Sequence, residues 1–477
     1  MQRLTGLDAS FLYLESNEQL MHVCALLLID PETMPKGYDF AELKKRLGDI
    51  TSHLSVFRRR LKRVPLDIDH PVWVNDEKFD IDQHVHRFGL PQPGDYNALA
   101  DLCGHLAGIP LDRSRPMWEI SVIEGLEDGH IAVFLKMHHS SIDGISGANV
   151  LTSMCSLEPD SPPLAGPDAH LPLGEPSDWD LLFRGLLTRA LRPLQIARLV
   201  APSVEAITDT ITRARKGVAM AAPLRAPRTS FNGTITGHRS VAFADLPLDQ
   251  IKKVKNQIDG VTVNDVILSL VGGAVRRYLD ERGELPDSSL LAAVPVAITD
   301  AQIRGANHVS ALFTKLYTNI EDPLERLLAL STSSTHAKAH QKAIPPTALQ
   351  DWAEFAAPTL FSLAGRLISR LRIVDEGPVI HNLVASNVPG SPIPVYFMGA
   401  RIDALYPFGP IMHGAGMNIT VVSTAGVMHV GLIACAEMMQ HPFDLTSQFA
   451  AELQALTREV LKPGQRRRMR PANQGLA

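Results

Sequence analysis

Apolar residues in this chain come in short runs separated by polar turns, and two periods alternate along it. Residues 25–29 and 131–135 are unbroken apolar runs of strand length, which predicts strands buried on both faces. Residues 40–47 carry apolar positions at helical spacing, and 98–103 continue as a second helix that Gly108 and Pro110 end. Residues 118–123 and 130–139 predict an antiparallel hairpin over the turn at Glu127-Asp128-Gly129. A helix is expected over 146–154.

The pattern then breaks. Residues 158–176 are dense in proline and glycine and read as a linker. From 178 to 215 helical periodicity returns, interrupted at Pro193 and Pro202, with Leu182, Leu186, Ile196 and Leu199 interleaved by Arg184, Arg189, Arg192 and Arg198. Such a basic amphipathic segment either lies on an anionic lipid surface or packs against its own protein with a solvated basic face. A second α/β unit begins near Pro227. It has a strand at 241–243, a helix at 248–256, and a long helix at 264–279 with Asn264 as its expected N-cap. The Gly272-Gly273 pair inside that helix costs helix propensity and so predicts close backbone packing. Strands follow at 291–296 and 383–386, then a hairpin of 418–423 and 428–434 across Ala425-Gly426. The chain thus divides into 1–157, a linker and amphipathic segment at 158–226, a second unit at 227–465, and a basic tail at 466–477 containing Arg466, Arg467, Arg468 and Arg470.

Composition narrows the picture little. At 477 residues two domains are the natural expectation, and 45% hydrophobic with 20% charged residues describes a globular chain. A formal net charge of -5 gives no reason to expect nucleic acid as a partner. Cys24, Cys103, Cys155 and Cys435 are scattered without a CxxC pair, and no signal peptide is visible. Reduced thiols and a cytoplasmic protein are therefore expected. No run reaches the ~18 to 20 apolar residues that span a bilayer, so any membrane role would be peripheral.

Candidate chemistry concentrates at Lys136-Met137-His138-His139-Ser140-Ser141-Ile142-Asp143-Gly144, the pattern HHxxxDG behind a buried strand. Side chains alternate along a strand, so His138 and His139 point to opposite sides and only one can face a given cavity. That disfavours a shared metal site and favours one imidazole acting as a base, since imidazole titrates near neutral pH. No metal and no cofactor are expected.

This string resembles the active-site motif of the CoA-dependent acyltransferase superfamily. Further motifs resemble its bacterial wax ester synthase/diacylglycerol acyltransferase family. They are Leu7-Asp8-Ala9-Ser10-Phe11-Leu12-Tyr13-Leu14-Glu15 with Met21-His22-Val23, Pro116-Met117-Trp118-Glu119, Val263-Asn264-Asp265-Val266, and Ser386-Asn387-Val388-Pro389-Gly390. The resemblance implies an α/β (α+β) fold of two chloramphenicol-acetyltransferase-like domains with the active site in the cleft between them. It also implies that His139 is the general base, that His138 is structural or lining, and that Asp143 holds the motif's turn through an ion pair. Arg58, Arg59 and Arg60 are the candidate partners of Asp143, or else a solvated or CoA-phosphate patch. Gly144 allows a tight turn and lets a backbone amide approach the reacting carbonyl.

Three residues are candidate substrate-binding groups. Asn264 is an oxyanion donor if it is not simply the helix cap, and Ser386 with Asn387 lies near the cleft, although a type II turn on Pro389-Gly390 would explain that motif alone. Trp118 reads as core. Ser423-Thr424 and Cys435 depart from the family's late Ser-Tyr and acidic pattern, which bears on acceptor choice. The activity expected is transfer of an acyl group from acyl-CoA, as co-substrate, to diacylglycerol at a membrane or lipid-body surface. A long-chain alcohol acceptor and a weakly catalytic lipid-binding role are the alternatives.

Overall fold

The computed structural model describes residues 2–142, 150–161, 175–188, 190, 225–297, 309–341 and 372–462. In the first half the strands are β1 (Gln2–Arg3), β2 (His22–Asp30), β3 (Arg59–Lys62), β4 (Val72–Asn75), β5 (Val85–Gly89), β6 (Trp118–Glu124), β7 (Ile131–His138) and β8 (Cys155–Ser156). In the second half they are β9 (Arg239–Pro247), β10 (Leu291–Ala297), β11 (Val309–Lys315), β12 (Leu383–Val388), β13 (Tyr396–Phe397), β14 (Ala400–Phe408), β15 (Met417–Thr424) and β16 (Val427–Cys435). The helices that matter here are α1 (Gly6–Leu14), α2 (Phe40–His53), α3 (Tyr96–Ala107), α4 (Leu248–Asn256), α5 (Val263–Asp280), α6 (Pro323–Gln341) and α7 (Gln448–Val460).

The predicted hairpins are present. β6 and β7 pair antiparallel, and the turn between them places Gly129 at φ +82°. β15 and β16 pair from Met417↔Ala434 to Thr424↔Val427, with Ala425 and Gly426 both at positive φ, as a two-residue hairpin turn requires. β7 is buried at every position, in keeping with its unbroken apolar run.

Sheet membership does not follow the two halves of the chain. The six-stranded sheet, ordered β11-β10-β12-β15-β16-β9, is built from the second half alone. The seven-stranded sheet, ordered β5-β6-β7-β2-β14-β13-β8, takes β13 and β14 from the second half. β14 pairs antiparallel with β2 from Arg401↔Asp30 to Phe408↔Cys24, so residues 396–408 complete the first sheet. A small third sheet is ordered β1-β4-β3.

The two large sheets share a core. Leu26, Phe134 and Phe408 of the first pack with Val241, Phe243 and Ile433 of the second. At about 1.5–3 kcal/mol per fully buried side chain, this contact outweighs the individual hydrogen bonds that cross the junction, each worth about 1 kcal/mol. Those bonds include Arg239 Nη2 to Glu18 O (2.6 Å), His413 N to Gln19 Oε1 (2.8 Å) and Tyr406 Oη to Asp245 Oδ2 (3.1 Å).

Several local expectations are revised. The cap of α5 is Thr262, whose hydroxyl accepts from Asp265 N while the Asp265 carboxylate accepts from Thr262 N. Asn264 therefore lies inside the first turn, because the Thr-x-x-Asp box satisfies two helix N–H donors that a lone Asn cap would not. Gly390 is not among the positive-φ glycines, so no type II turn forms on Pro389-Gly390. A Cβ at Gly390 would meet Ser423 O at 2.3 Å, and close backbone approach is the reason for glycine there. The prediction for Gly272-Gly273 holds: added Cβ atoms would meet Leu316 O at 2.5 Å and the Glu452 carboxyl carbon at 2.2 Å. Trp118 is core, its indole N–H donating to Phe57 O at 2.9 Å.

Candidate active site at the end of the central strand

β7 ends at His138, and the two histidines separate as the alternation requires. His138 has no exposed surface, whereas His139 is half-buried. His138 Nδ1 lies 2.8 Å from Ser140 Oγ and accepts from Ser140 N at 3.0 Å. Its Nε2 lies 3.4 Å from Glu15 Oε1, and His22, its partner across β2, places its own Nε2 at the same distance from that oxygen. The other Glu15 oxygen takes the guanidinium of Arg113, and Met21 N donates to Oε1 at 3.3 Å.

Electrostatics fix the charge of this cluster. Burial pushes the Glu15 carboxyl up, but hydrogen bonds from His138 and His22 and the charge on Arg113 outweigh it and hold the group well below the usual carboxylate range. Burial lowers His22 to about 4 despite the opposing pull of Glu15. At neutral pH the cluster is an ionised carboxylate matched by one guanidinium and a neutral His22.

His139 is held differently. Its backbone N–H donates to Met21 O at 2.8 Å, and its ring stacks on Phe11, with centroids 4.1 Å apart and planes 14° from parallel. Phe11 and Glu15 are four residues apart, at the end of α1 and its C-cap, so one helical face meets both histidines. The loop from Glu15 to Met21 is in turn gripped by Arg239 and His413 of the second half. The motif thus sits beside the junction of the two sheets.

Asp143 and Gly144 fall outside the described residues, as do 146–149 of the expected helix over 146–154, whose remainder is helical over 150–153. Of the three candidate arginines, Arg59 reaches the motif: its guanidinium donates to Ser141 O at 3.1 Å and lies over Trp73. Arg60 is engaged by Glu175 at 2.8 Å, and Arg58 lies over Phe79. Asn387 Nδ2 donates to Asn264 Oδ1 at 3.4 Å, so the structure brings these two predicted residues together, with Ser386 beside them on β12. This pair is not among the ring partners of His138, which are Ser140 and Glu15. Thr424, one of the departures, shares a 2.7 Å hydrogen bond with His429 Nε2, whose Nδ1 meets Asp245 at 2.6 Å. Among the described residues no group of three His, Cys, Asp or Glu is placed to hold a metal.

Sequence reasoning passed over Glu15, Phe11, His22 and Arg113 as site residues. A cue existed for Glu15, an acidic side chain directly closing an apolar helix, but its histidine partners are set by strand register.

The amphipathic segment is described from 178 to 188 and at 190. Leu181 is buried with Val64, Ile68, Val72 and Val74, and Gly185 sits against Ile68. Trp179, Phe183, Leu186 and Leu187 face outward, Trp179 and Phe183 at 79% and 71% exposure. The segment therefore packs on one side and presents apolar side chains on the other. Among the described residues no helix is long and apolar enough to cross a membrane.

Comparison with known proteins agrees with this architecture. The wax ester synthase/diacylglycerol acyltransferase catalytic domain matches residues 4–267, and the C-terminal domain of the same family matches 305–457. A Mycobacterium tuberculosis (strain CDC 1551 / Oshkosh) protein named as a candidate diacylglycerol O-acyltransferase is 40% identical over 458 residues, 96% of this chain and 90% of its own. The wax ester synthase/diacylglycerol acyltransferase of Marinobacter aquaeolei VT8 superposes with a TM-score of 0.68 at 30% identity, covering 96% of this chain and all of that one. At 11% identity, the starter condensation domain of rhizomide synthetase shares the fold alone, with a TM-score of 0.56 over 97% of this chain and 96% of its own. With both family domains matched in order along the same chain, the protein belongs to the wax ester synthase/diacylglycerol acyltransferase family.

Proposed function

We propose that this O-acyltransferase moves a long-chain acyl group from acyl-CoA to the hydroxyl of diacylglycerol, making triacylglycerol, with His139 as general base. His139 takes the hydroxyl proton as the oxygen attacks the thioester carbonyl. The tetrahedral intermediate collapses, the C–S bond breaks, and the proton passes to the departing CoA thiolate. No acyl-enzyme is needed, because the thioester is already activated. Asn264, accepting from Asn387, keeps its own amide hydrogens for the oxyanion or the acceptor.

The observation that carries this reading is the contrast within the pair. His138 is sealed between Ser140 and Glu15, which leaves His139 as the imidazole able to meet substrate. The outward apolar residues at 179, 183, 186 and 187 support contact with a membrane or lipid-body surface. A long-chain alcohol is the second acceptor to consider, since the Marinobacter relative is named for both activities.

The test is CoA-thiol release by purified protein given palmitoyl-CoA with diacylglycerol or hexadecanol separately. His139→Ala should lose about two to four orders of magnitude in rate while remaining folded, and His138→Ala should lose less. Equal loss from both in folded protein overturns the assignment. Lipid association without His139-dependent thiol release would make the protein a lipid binder. For the surface, changing Trp179 and Phe183 to Ser should weaken binding to anionic vesicles; unchanged binding would move the contact elsewhere.

A further inference from the structure

We propose that Phe11 is a positioning residue for the transfer step: its ring, stacked on His139, fixes the imidazole plane and stabilises it once protonated. The inference rests on the reading of His139 as the base. Centroids 4.1 Å apart and a 14° interplanar angle put the two rings face to face. An aromatic face is the negative end of the ring quadrupole, so it attracts a cation more than a neutral ring at this range. His139 is neutral before it accepts the hydroxyl proton and cationic after. Phe11 therefore contributes more to the proton-transferred state than to the ground state, which is the condition for accelerating a step.

The stack is built to stay in place. Thr5 caps α1 at one end, its hydroxyl accepting from Asp8 N at 3.2 Å. Glu15 ties the other end to Arg113, Met21 N, His22 and His138. Met21 O holds the His139 backbone, so the base is gripped by its main chain on one side and by its ring face on the other. The charged and titratable groups around the pair are Glu15 and Arg113, which neutralise each other, His22 and His138 on β2 and β7, and Arg59 on β3, which reaches Ser141 O. Glu15 is committed to Arg113, and Asp8, one turn before Phe11 on α1, is a second buried carboxylate on the same helix. The stacked aromatic face adds its own preference for the imidazolium to whatever these groups contribute.

Phe11→Leu keeps apolar bulk and removes the ring face. We expect kcat to fall about threefold to tenfold with KM for both substrates within about twofold, as loss of one cation–π contact predicts. The acidic limb of the kcat/KM profile should move to lower pH, because the protonated base has lost support. Phe11→Trp, which restores a π face, should recover both kcat and the position of the limb. Wild-type kcat with an unmoved limb in Phe11→Leu overturns the proposal, and so does equal damage from Leu and Trp, which would mean shape alone. His139→Ala separates the two readings. Retained turnover there sinks the base assignment and this inference with it, while loss there alongside an unaffected Phe11→Leu sinks only the stacking role.

Discussion

Two buried glutamates organise the two halves of this molecule, and they do so with different partners. Glu15 binds one guanidinium and faces two imidazoles beside the HHxxxDG motif. Glu452 on α7 binds two guanidiniums, Arg326 and Arg277, where α5, α6 and α7 cover the second sheet. Arg326 is itself fully buried and also donates to Ile320 O at 2.8 Å. Gly273 leaves the room that the Glu452 carboxylate occupies. Guanidinium keeps its charge at any physiological pH, so the Glu452 hub is electrostatically constant and serves packing. Imidazole does not, so the Glu15 hub can respond to protons. The same carboxylate is a helix fastener in one half and a histidine holder in the other, and the partner side chains decide which.

The largest expected effect is at Glu452. Glu452→Gln leaves Arg326 buried without its counter-charge and should cost about 3–5 kcal/mol of stability in urea unfolding. Turnover per folded molecule should not change. A fall in kcat at unchanged stability would break the comparison, since the second hub would then be reaching the chemistry.

Acid should act on the other hub. His22 titrates near 4 in the folded protein against 6.5 when exposed, so the unfolded chain binds the extra proton first as pH falls. Stability is complete above 6.5 and declines between 6.5 and about 4, by on the order of 3 kcal/mol. The depressed Glu15 carboxyl adds a loss of the same sign once pH falls below about 4.5. His381, lowered to about 4 by burial alone, falls in the same window from the second half. Melting temperatures against pH in wild type and His381→Leu separate the two shares; a flat curve in His381→Leu would remove His22 from the account.

A smaller effect is expected from Glu15→Gln. Losing charge-assisted hydrogen bonds to buried partners should cost about 1.5–3 kcal/mol, with a disproportionate loss of kcat because both histidines lose their anchor. Stability loss with unchanged turnover would make Glu15 a fastener like Glu452. Asn387→Ala should be the mildest: the residue is exposed and its bond to Asn264 is long, so stability should move by less than about 1 kcal/mol. The change should appear in KM for the acceptor, and a shift confined to KM for acyl-CoA would place the Asn264–Asn387 pair on the wrong substrate.

What the sequence showed of this molecule was whatever depends on neighbours in the chain. Alternation and turn residues delivered the β6–β7 and β15–β16 hairpins, and one-residue spacing on a strand separated His138 from His139. The α5 cap was legible too, since Thr262 and Asp265 form a capping box, but Asn264 drew attention by its family motif. Glu15 was quoted only as the last letter of a motif, because its bonds to His22 and His138 exist only once β2 and β7 lie side by side. Gly390 looked like a turn glycine, whereas its neighbour is a carbonyl 33 residues further along the chain, at Ser423. Amphipathic strand β14 alternates clearly in burial, yet nothing local says which sheet it joins.

That last strand sets a constraint on how the protein is made. A ribosome releases β2 hundreds of residues before it releases β14, and β14 is the neighbour that β2 requires on one side. Until residue 408 has emerged, the apolar edge of β2 is an unpaired template for any other strand, including that of a second nascent chain. Truncations ending between the halves should therefore aggregate rather than yield a usable fragment, and a split protein should assemble best when both pieces are synthesised together. Permuting the chain so that residues 396–408 directly precede or follow the first half would bring the two partners close in time, and would be the natural starting point for a version that folds quickly.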